Sequence, residues 1–273
     1  MTRSTVHDLK GLAPAGDSLA GRSVTAGRAL EVKRMTLNRV IHAALVLLLG
    51  LAGCGTPLSW AQSGYLAGQE VDFHTVLGPP PVADSPWDRA DEGLVEALQT
   101  VDDTRWQTAV LDQKELYSRF TEAFGKPIDR NGSPVLVALL DHAIGDANTT
   151  ASAAKDYFHR PRPFQRLQLQ RVCEKTTPPK PDPNPTRGDG YPSGHSVRGW
   201  TVAMILARVA PDRAEAVMKR AEVYQESRLV CGMHFPSDVE AGHDVASAVV
   251  SRLDSSAAFQ ADLARARKEY AGH

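Results

Sequence analysis

Residues 190–209 read GYPSGHSVRGWTVAMILARV, in which a turn rich in small residues runs directly into an apolar helical pattern. The apolar side chains recur at helical spacing and share one side of the helix; they are Val197, Trp200, Met204, Ile205 and Val209. Gly194 permits close backbone approach, and a loop that leads into a helix offers unpaired N–H groups suited to an anion. Ser193 adds a hydroxyl and His195 an ionisable ring. The stretch predicts a helix that begins at an anion site; the alternative is a capping turn with an incidental histidine.

The segments on both sides of this stretch also follow helical spacing, and none shows the alternation typical of a strand. Helical patterns cover 88–101, 103–124, 133–159, 211–230, 236–253 and 257–271. Residues 133–159 are interpreted as two helices, with Ser133 as a cap before Pro134. Residues 174–190 contain five prolines and two glycines, which is typical of a loop. We therefore predict an all-α protein with a single compact helical domain over 86–273.

Composition excludes some classes of partner. The chain has 273 residues, 42% of them apolar and 23% charged, as in ordinary soluble domains. The formal net charge of −1 gives no reason to expect binding to nucleic acid or to an anionic membrane. Anion recognition must therefore come from local clusters of charge.

The N-terminal region carries one apolar run, VIHAALVLLLGLAG at 40–53, with Arg39 just ahead of it. The run is short for a membrane span and suits the core of a signal peptide. We predict a signal peptide over 35–61 that starts at Met35, and we interpret 1–34 as a non-native or disordered extension.

The cleavage site has two interpretations. Residues 51–54 read LAGC and resemble a bacterial lipobox with Cys54 as the lipidated residue. Ordinary cleavage after Ala61 is the alternative. Both predict export, as a periplasmic protein or an outer-membrane lipoprotein, with an extended proline-rich segment over 62–85 before the domain.

Export changes the interpretation of the two remaining cysteines. In an oxidising compartment Cys173 and Cys231 can pair. The alternative is two buried thiols, because cysteine packs well as a small hydrophobe. We favour the disulfide, since each cysteine lies close in sequence to one of the motifs below.

A second cluster, KDYFHRPRP at 155–163, places Lys155, Arg160 and Arg162 within eight residues. Taken alone, it is typical of a solvated helix end, where basic residues complement the helix dipole.

A third cluster, SRLVCGMHFPSD at 227–238, contains His234 and Asp238 four residues apart. On a helix both face the same way, so the carboxylate can fix the ring tautomer and leave the other nitrogen basic. Arg228 adds a fork for planar anions. The alternative is a surface His–Asp pair of little energetic weight.

The three clusters together supply cations, a helix N-terminus, two histidines and one orienting carboxylate. Phosphoryl transfer without a metal needs these groups, because the cations neutralise the transferring group while one histidine attacks and the other protonates the leaving oxygen.

The spacing of the clusters is that of a known three-part signature. It reads Lys155-x6-Arg162-Pro163, Pro192-Ser193-Gly194-His195 and Ser227-Arg228-x5-His234-x3-Asp238. It resembles the type 2 phosphatidic acid phosphatase superfamily, which includes bacterial acid phosphatases and vanadium-dependent haloperoxidases. Nearly the whole mature chain is similar to class A bacterial non-specific acid phosphatases, least so between 86 and 150 and in the proline-rich loop.

The resemblance implies catalytic roles. His234 is the expected nucleophile that forms a phosphohistidine, Asp238 orients it, and His195 is the general acid. The implied phosphate clamp consists of Lys155, Arg162 and Arg228 with the Ser193 hydroxyl and the Gly194 N–H. Arg160 matches an additional basic position without an assigned role.

Two further positions bear on the resemblance. Relatives carry cysteines near Cys173 and Cys231, which supports the disulfide. His243 departs from the pattern, because relatives more often carry arginine there.

We therefore predict an exported acid phosphatase that hydrolyses small phosphomonoesters without a metal or cofactor and that binds vanadate as a transition-state mimic. The clamp lowers the histidine pKa values and Asp238 raises that of its partner, which predicts an optimum below neutral pH. Transfer to alcohols is compatible with a phosphohistidine. Relatives often associate, which implies a homo-oligomer, and membrane contact is expected only through a lipid anchor.

Four alternatives remain at this point. A metalloenzyme would use ligands from among His195, His234, Asp238 and His243. A vanadium haloperoxidase would hold vanadate in the same clamp. A lipid phosphatase is disfavoured because such relatives have several membrane spans, and a non-enzymatic anion binder would not need two histidines.

Overall fold

The computed structural model describes residues 64–173 and 188–272, and every regular element within those ranges is helical. In chain order the helices are α1 (Pro86–Ala97), α2 (Asp103–Lys114), α3 (Thr121–Phe124), α4 (Pro134–Phe158), α5 (Pro163–Arg166), α6 (Gly194–Val209), α7 (Ala214–Val230), α8 (Pro236–Leu253) and α9 (Ala257–Gly272). Short 3-10 turns occur at Phe73–Thr75, Leu98–Thr100, Tyr117–Phe120 and Pro211–Arg213. The all-α prediction is confirmed.

Several predictions fall outside the described residues. They are the extension 1–34, the signal peptide 35–61 with Cys54, and residues 174–187 of the proline-rich loop. Among the helices described, none combines the length and the apolar character needed to cross a bilayer.

Helix α6 lies at the centre of the fold. It packs most extensively against α7 and α8 and also contacts α4 and α9. Val197, Val202 and Ile205 point in different directions around the helix and are all fully buried. A helix with neighbours on several sides buries more than one apolar stripe. Since α6 begins at Gly194, within the YPSGH stretch, this central position fixes the preceding turn in space.

Residues 134–158 form one helix, so the prediction of two helices in this region is wrong. Two polar residues within this helix contact the segment that precedes α1. Asp146 accepts hydrogen bonds from the backbone N–H groups of Tyr65 and Leu66 over 2.8 and 3.2 Å, and Thr150 donates to the carbonyl of Val71. The helix therefore continues because its polar residues have partners in another part of the chain.

The N-terminus of α4 is capped from a distance. Ser133 occupies the N-cap position but makes no side-chain capping bond. The carboxylate of Glu269, on α9, instead accepts from the N–H groups of Val135 and Leu136 over 3.0 and 2.9 Å. A carboxylate at this end also complements the helix dipole.

The helical pattern over 103–124 is interrupted after Lys114. Arg119 Nε donates to Oδ1 of the buried Asp112 over 2.8 Å. In a continuous helix two residues seven apart are separated by about 10 Å along the axis. The chain therefore turns back through the 3-10 segment Tyr117–Phe120 before α3 begins.

A second, smaller apolar cluster lies around the connection between α7 and α8. Its buried members are Val95, Ala109, Leu169, Val172, Val230, Cys231, Met233 and Phe235. The structure contains the predicted disulfide between Cys173 and Cys231. It joins the segment after α5 to the end of α7, three residues before His234.

Candidate active site

The three sequence clusters meet where helices begin and end. Lys155 lies in the last turn of α4 and Arg162 is the N-cap of α5. Ser193 is the N-cap of α6, and Arg228 lies in the last turn of α7. His234 follows in the short connection between α7 and α8.

Cations surround the His234 ring. Arg162, Lys155 and Arg228 all lie close enough to disfavour its protonation. The pKa of His234 is lowered well below its usual range, first by burial and then by these cations. The lowered pKa favours the neutral ring, which is the form that a nucleophilic role requires.

The hydrogen bonds of His234 define its tautomer. Nδ1 lies 2.8 Å from the carbonyl oxygen of Gly190. A carbonyl only accepts, so Nδ1 carries the proton and Nε2 does not. Nε2 faces Nη1 of Arg162 at 3.3 Å. The basic nitrogen of a buried histidine thus points toward the predicted clamp.

Asp238 lies behind this histidine. Its Oδ2 is 3.5 Å from Nδ1 of His234 and accepts the N–H of Phe235 over 2.7 Å. Burial raises the pKa of Asp238 to about 6, although Arg160 opposes the shift. The shorter hydrogen bond of the His234 ring is the one that Nδ1 donates to the Gly190 carbonyl, a partner that the sequence did not indicate.

Arg160, which had no assigned role, is the buried partner of Asp238. Its Nη1 donates to Oδ1 of Asp238 over 2.7 Å and to the Ser237 hydroxyl over 2.6 Å. Its Nη2 contacts Asp91 at 2.8 Å and Asp88 at 3.3 Å. The two α1 carboxylates were missed because that part of the chain carries the weakest resemblance. Their i,i+3 spacing was the available signal.

The ring of His195 has partners on both nitrogens. Nε2 lies 3.3 Å from the carbonyl oxygen of Gln113, and Nδ1 lies 3.2 Å from Nη2 of Arg198. Its face stacks on Tyr224 with the ring centroids 6.2 Å apart. Burial, then Arg228 and Arg198, lower the pKa of His195 to about 3. Sequence analysis missed Arg198, although its position three residues along the same helix placed it beside His195.

A carboxylate occupies the outer edge of Arg162. Asp189 accepts from Nε over 2.7 Å and from Nη2 over 3.0 Å, while Lys155 donates to its backbone carbonyl. The hydrogen bonds from Arg162 lower the pKa of Asp189. Burial, then the charge of Arg162, lower the pKa of Lys155 to about 8. Sequence analysis did not single out Asp189.

The turn before α6 is fixed on two sides. The hydroxyl of Ser193 caps the helix by accepting the N–H of Ser196 over 3.4 Å, and its own N–H donates to the backbone carbonyl of Asp238 over 2.8 Å. Because a hydroxyl that accepts still has a proton, Ser193 retains a donor. A Cβ at Gly194 would lie 3.8 Å from Cε of Lys155, which places this backbone beside the clamp.

The four alternative metal ligands all lie within the described residues, where His234 and Asp238 are 3.5 Å apart but the set does not form a metal site. Within the described parts of the chain, no group of three His, Cys, Asp or Glu side chains is arranged to hold a metal ion. The ring of His243 lies 4.3 Å from that of Trp200 and 4.0 Å from the Asp244 carboxylate.

Comparison with known proteins finds relatives over most of the chain. The family model described as the PAP2 superfamily matches residues 135–253. A non-specific acid phosphatase of Providencia stuartii is 32% identical over 209 residues, which are 74% of this chain and 82% of the relative. An acid phosphatase of Zymomonas mobilis is 34% identical over 71% of this chain and 73% of its own length. A non-specific acid phosphatase of Salmonella typhi is 32% identical over 74% and 81%.

Proposed function

The chain belongs to the PAP2 superfamily and is an acid phosphatase, and we propose that it hydrolyses phosphomonoesters through a phosphohistidine on His234. One observation carries this mechanism. His234 presents an unprotonated Nε2 to the guanidinium of Arg162, while its Nδ1–H is held by Gly190. A neutral imidazole held beside a cation is suited to attack a phosphorus atom.

In the first step Nε2 of His234 forms a bond to phosphorus as the bond to the leaving oxygen breaks. His195 gives that oxygen a proton, and the alcohol departs. In the second step His195 takes a proton from water, whose oxygen displaces His234 and releases phosphate. Lys155, Arg162 and Arg228 stabilise the negative charge on the transferring group.

The clamp supports catalysis without a metal, because its three cations supply the charge that a divalent ion provides elsewhere. We expect vanadate to bind in the same place and inhibit. An alcohol that replaces water in the second step would accept the phosphoryl group, so phosphotransfer belongs to the same proposal.

Export is also part of the proposal. The disulfide between Cys173 and Cys231 supports an oxidising compartment. Expression with and without residues 1–61, followed by cell fractionation and mass measurement of the mature N-terminus, tests export and distinguishes Cys54 lipidation from cleavage after Ala61.

The catalytic mechanism is tested by turnover on a panel of phosphomonoesters at about pH 5 to 7, with and without chelator and vanadate. His234→Ala should lose turnover by orders of magnitude, whereas His243→Ala, a matched loss of imidazole, should retain it. Radiolabelled phosphate from substrate should remain on the denatured wild type and be absent from His234→Ala. Full turnover by His234→Ala, or activity that a chelator abolishes and added metal restores, contradicts the mechanism.

A further inference from the structure

Arg198 determines which nitrogen of His195 carries a proton. Its Nη2 lies 3.2 Å from Nδ1 of His195. A guanidinium has no acceptor and keeps its charge, so Nδ1 must be the unprotonated nitrogen. Nε2 lies 3.3 Å from the Gln113 carbonyl, which only accepts, so Nε2 carries the proton. Contacts on both nitrogens thus fix a neutral ring with a single tautomer.

The charges around this ring oppose a second proton. Arg198 approaches from α6 itself, Arg228 from α7 and Arg162 from the start of α5. The neutral Tyr224 ring covers one face, and the Gln113 carbonyl of α2 alone among these groups favours a cationic ring. The lowered pKa of His195 agrees with this arrangement. A proton on Nδ1 would displace Arg198. It would also place a fourth positive charge beside the three arginines.

A general acid must nevertheless hold the proton that it gives to the leaving oxygen. We propose that Arg198 is a positioning residue that keeps His195 neutral in the free enzyme, so that the leaving-group proton enters with the substrate as a phosphomonoester monoanion. This inference rests on the proposed function of His195 as the general acid. It names the protonation state of the substrate that the site accepts.

The proton balance is complete without another reactant. The monoanion binds and passes its proton from a phosphate oxygen to Nδ1 of His195, which Arg198 releases. The cations of the clamp hold the dianion that remains. His195 then gives one proton to the leaving oxygen as the P–O bond breaks and the bond to Nε2 of His234 forms. The ring returns to its neutral state.

The consequence is measurable in the dependence of kcat/KM on pH. The alkaline limb should follow the second pKa of the substrate, which is about 6 for an alkyl phosphate. A substrate with an electron-withdrawing leaving group, such as 4-nitrophenyl phosphate, has a lower second pKa and should show a lower alkaline midpoint. If both substrates share one midpoint, the group that titrates belongs to the enzyme and the proposal fails.

Substitution of Arg198 provides the second arm of the test. Arg198→Met removes the cation from Nδ1, so protonation of His195 should become about tenfold easier and the acid midpoint should rise by about one pH unit. Arg198→Lys should restore much of the wild-type profile. Arg208→Met is the control. It removes another arginine of α6, one whose partner is Asp254, so the midpoints of this variant should match those of the wild type. Unchanged midpoints in Arg198→Met overturn the proposal.

Nitrogen NMR of the ligand-free protein separates this proposal from the phosphatase mechanism. At about pH 6 the His195 ring should show a protonated Nε2 and an unprotonated Nδ1. In Arg198→Met the ring should titrate at higher pH. An imidazolium in the wild type at this pH overturns the inference and leaves the phosphohistidine intact. Turnover by His234→Ala would instead overturn the mechanism, whatever the tautomer.

Discussion

Nη1 of Arg160 and Oδ1 of Asp238 lie 2.7 Å apart, and the two side chains are only 4% and 0% exposed. Asp88 and Asp91 approach the other nitrogen of the same guanidinium. One arginine is thus the shared partner of three buried carboxylates. Removing a single partner from a buried ion pair is costly because it leaves charge uncompensated.

We expect Arg160→Met to lower the free energy of unfolding by about 3–5 kcal/mol. Any folded fraction should also show an Asp238 that binds a proton more tightly, because Arg160 opposes the rise in its pKa. Urea unfolding measures the first effect. Arg130→Met breaks an exposed pair with Asp141 and should cost less than about 1 kcal/mol. Equal losses in the two variants would contradict the assigned role.

Gly242 allows α8 to lie against the turn before α6. A Cβ there would lie 2.7 Å from the carbonyl oxygen of Ser193 and 2.7 Å from Cβ of Ser196. Gly242→Ala should therefore destabilise the protein by about 1–3 kcal/mol and reduce kcat. Gly145→Ala in α4 meets open space and should stabilise by about 0.5–1 kcal/mol through helix propensity. Urea unfolding of both variants checks the contrast, which a stable, fully active Gly242→Ala would refute.

Lys155 should make phosphate binding depend on pH. Its pKa of about 8 means that the ammonium loses its charge above that pH in the folded protein. We expect the affinity for inorganic phosphate to fall several-fold between about pH 7 and 9, relative to Lys155→Arg, which remains charged. Calorimetric titration measures both affinities. Their ratio does not depend on the ionisation of phosphate, because both proteins bind the same ligand. A constant affinity ratio would show that Lys155 does not titrate in this range.

Lys155 should also make the free energy of unfolding depend on pH. This quantity should rise with pH, whereas the affinity for phosphate should fall. An unfolded lysine titrates at about 10.4, so between about pH 8 and 10.4 the unfolded state holds more protons than the folded state. The contribution of Lys155 to the free energy of unfolding should therefore rise with pH over this window. Urea unfolding of the wild type and Lys155→Arg across the window measures it.

Asp189 should weaken anion binding, because its carboxylate occupies the Nε and Nη2 edge of Arg162. We expect Asp189→Asn to bind inorganic phosphate several-fold more tightly, with a change in stability below about 1 kcal/mol. Asp254→Asn is the matched control, since Asp254 binds the same two nitrogens of Arg208. Weaker phosphate binding by Asp189→Asn would instead indicate that the carboxylate aligns Arg162 for the substrate.

The disulfide should contribute substantially to stability. It closes a loop with a sequence separation of 58 residues. Replacing Cys173 and Cys231 by serine should lower the free energy of unfolding by about 2–4 kcal/mol, because the unfolded chain gains conformational freedom. Reduced wild type should behave like the double variant in urea unfolding. A loss below about 0.5 kcal/mol would assign the cross-link no stabilising role.

The sequence was sufficient for the helical class, because helical periodicity is a local signal, whereas the roles of the clamp residues remain predictions that rest on short motifs. It did not predict the partners of those residues. Gly190 contacts His234 through a backbone carbonyl, for which no residue type is diagnostic. Asp88 and Asp91 on α1 reach Arg160, in the connection between α4 and α5, across about seventy residues of chain, so the pairing depends on tertiary packing.

The two errors in the helix assignment have the same origin. Asp146 lies in the middle of α4 and accepts hydrogen bonds from Tyr65 and Leu66, which precede α1. Asp112 is fully buried and accepts hydrogen bonds from Arg119 and from the Ser227 hydroxyl on α7. In both cases a long-range polar contact overrode the local pattern.

The Ser193 N–H donates to the Asp238 carbonyl, and Gly242 allows α8 to approach the same turn closely. These two contacts hold the segments that carry His195 and His234 against each other. In the proposed mechanism, the spacing of His195 and His234 therefore depends on the packing of α8 on α6. The pair of Arg162 and Asp189 is formed separately, by the start of α5 and the segment before α6. We expect substitution of the exposed Asp189 to leave that spacing intact, so this position is the natural place to begin a redesign of substrate preference.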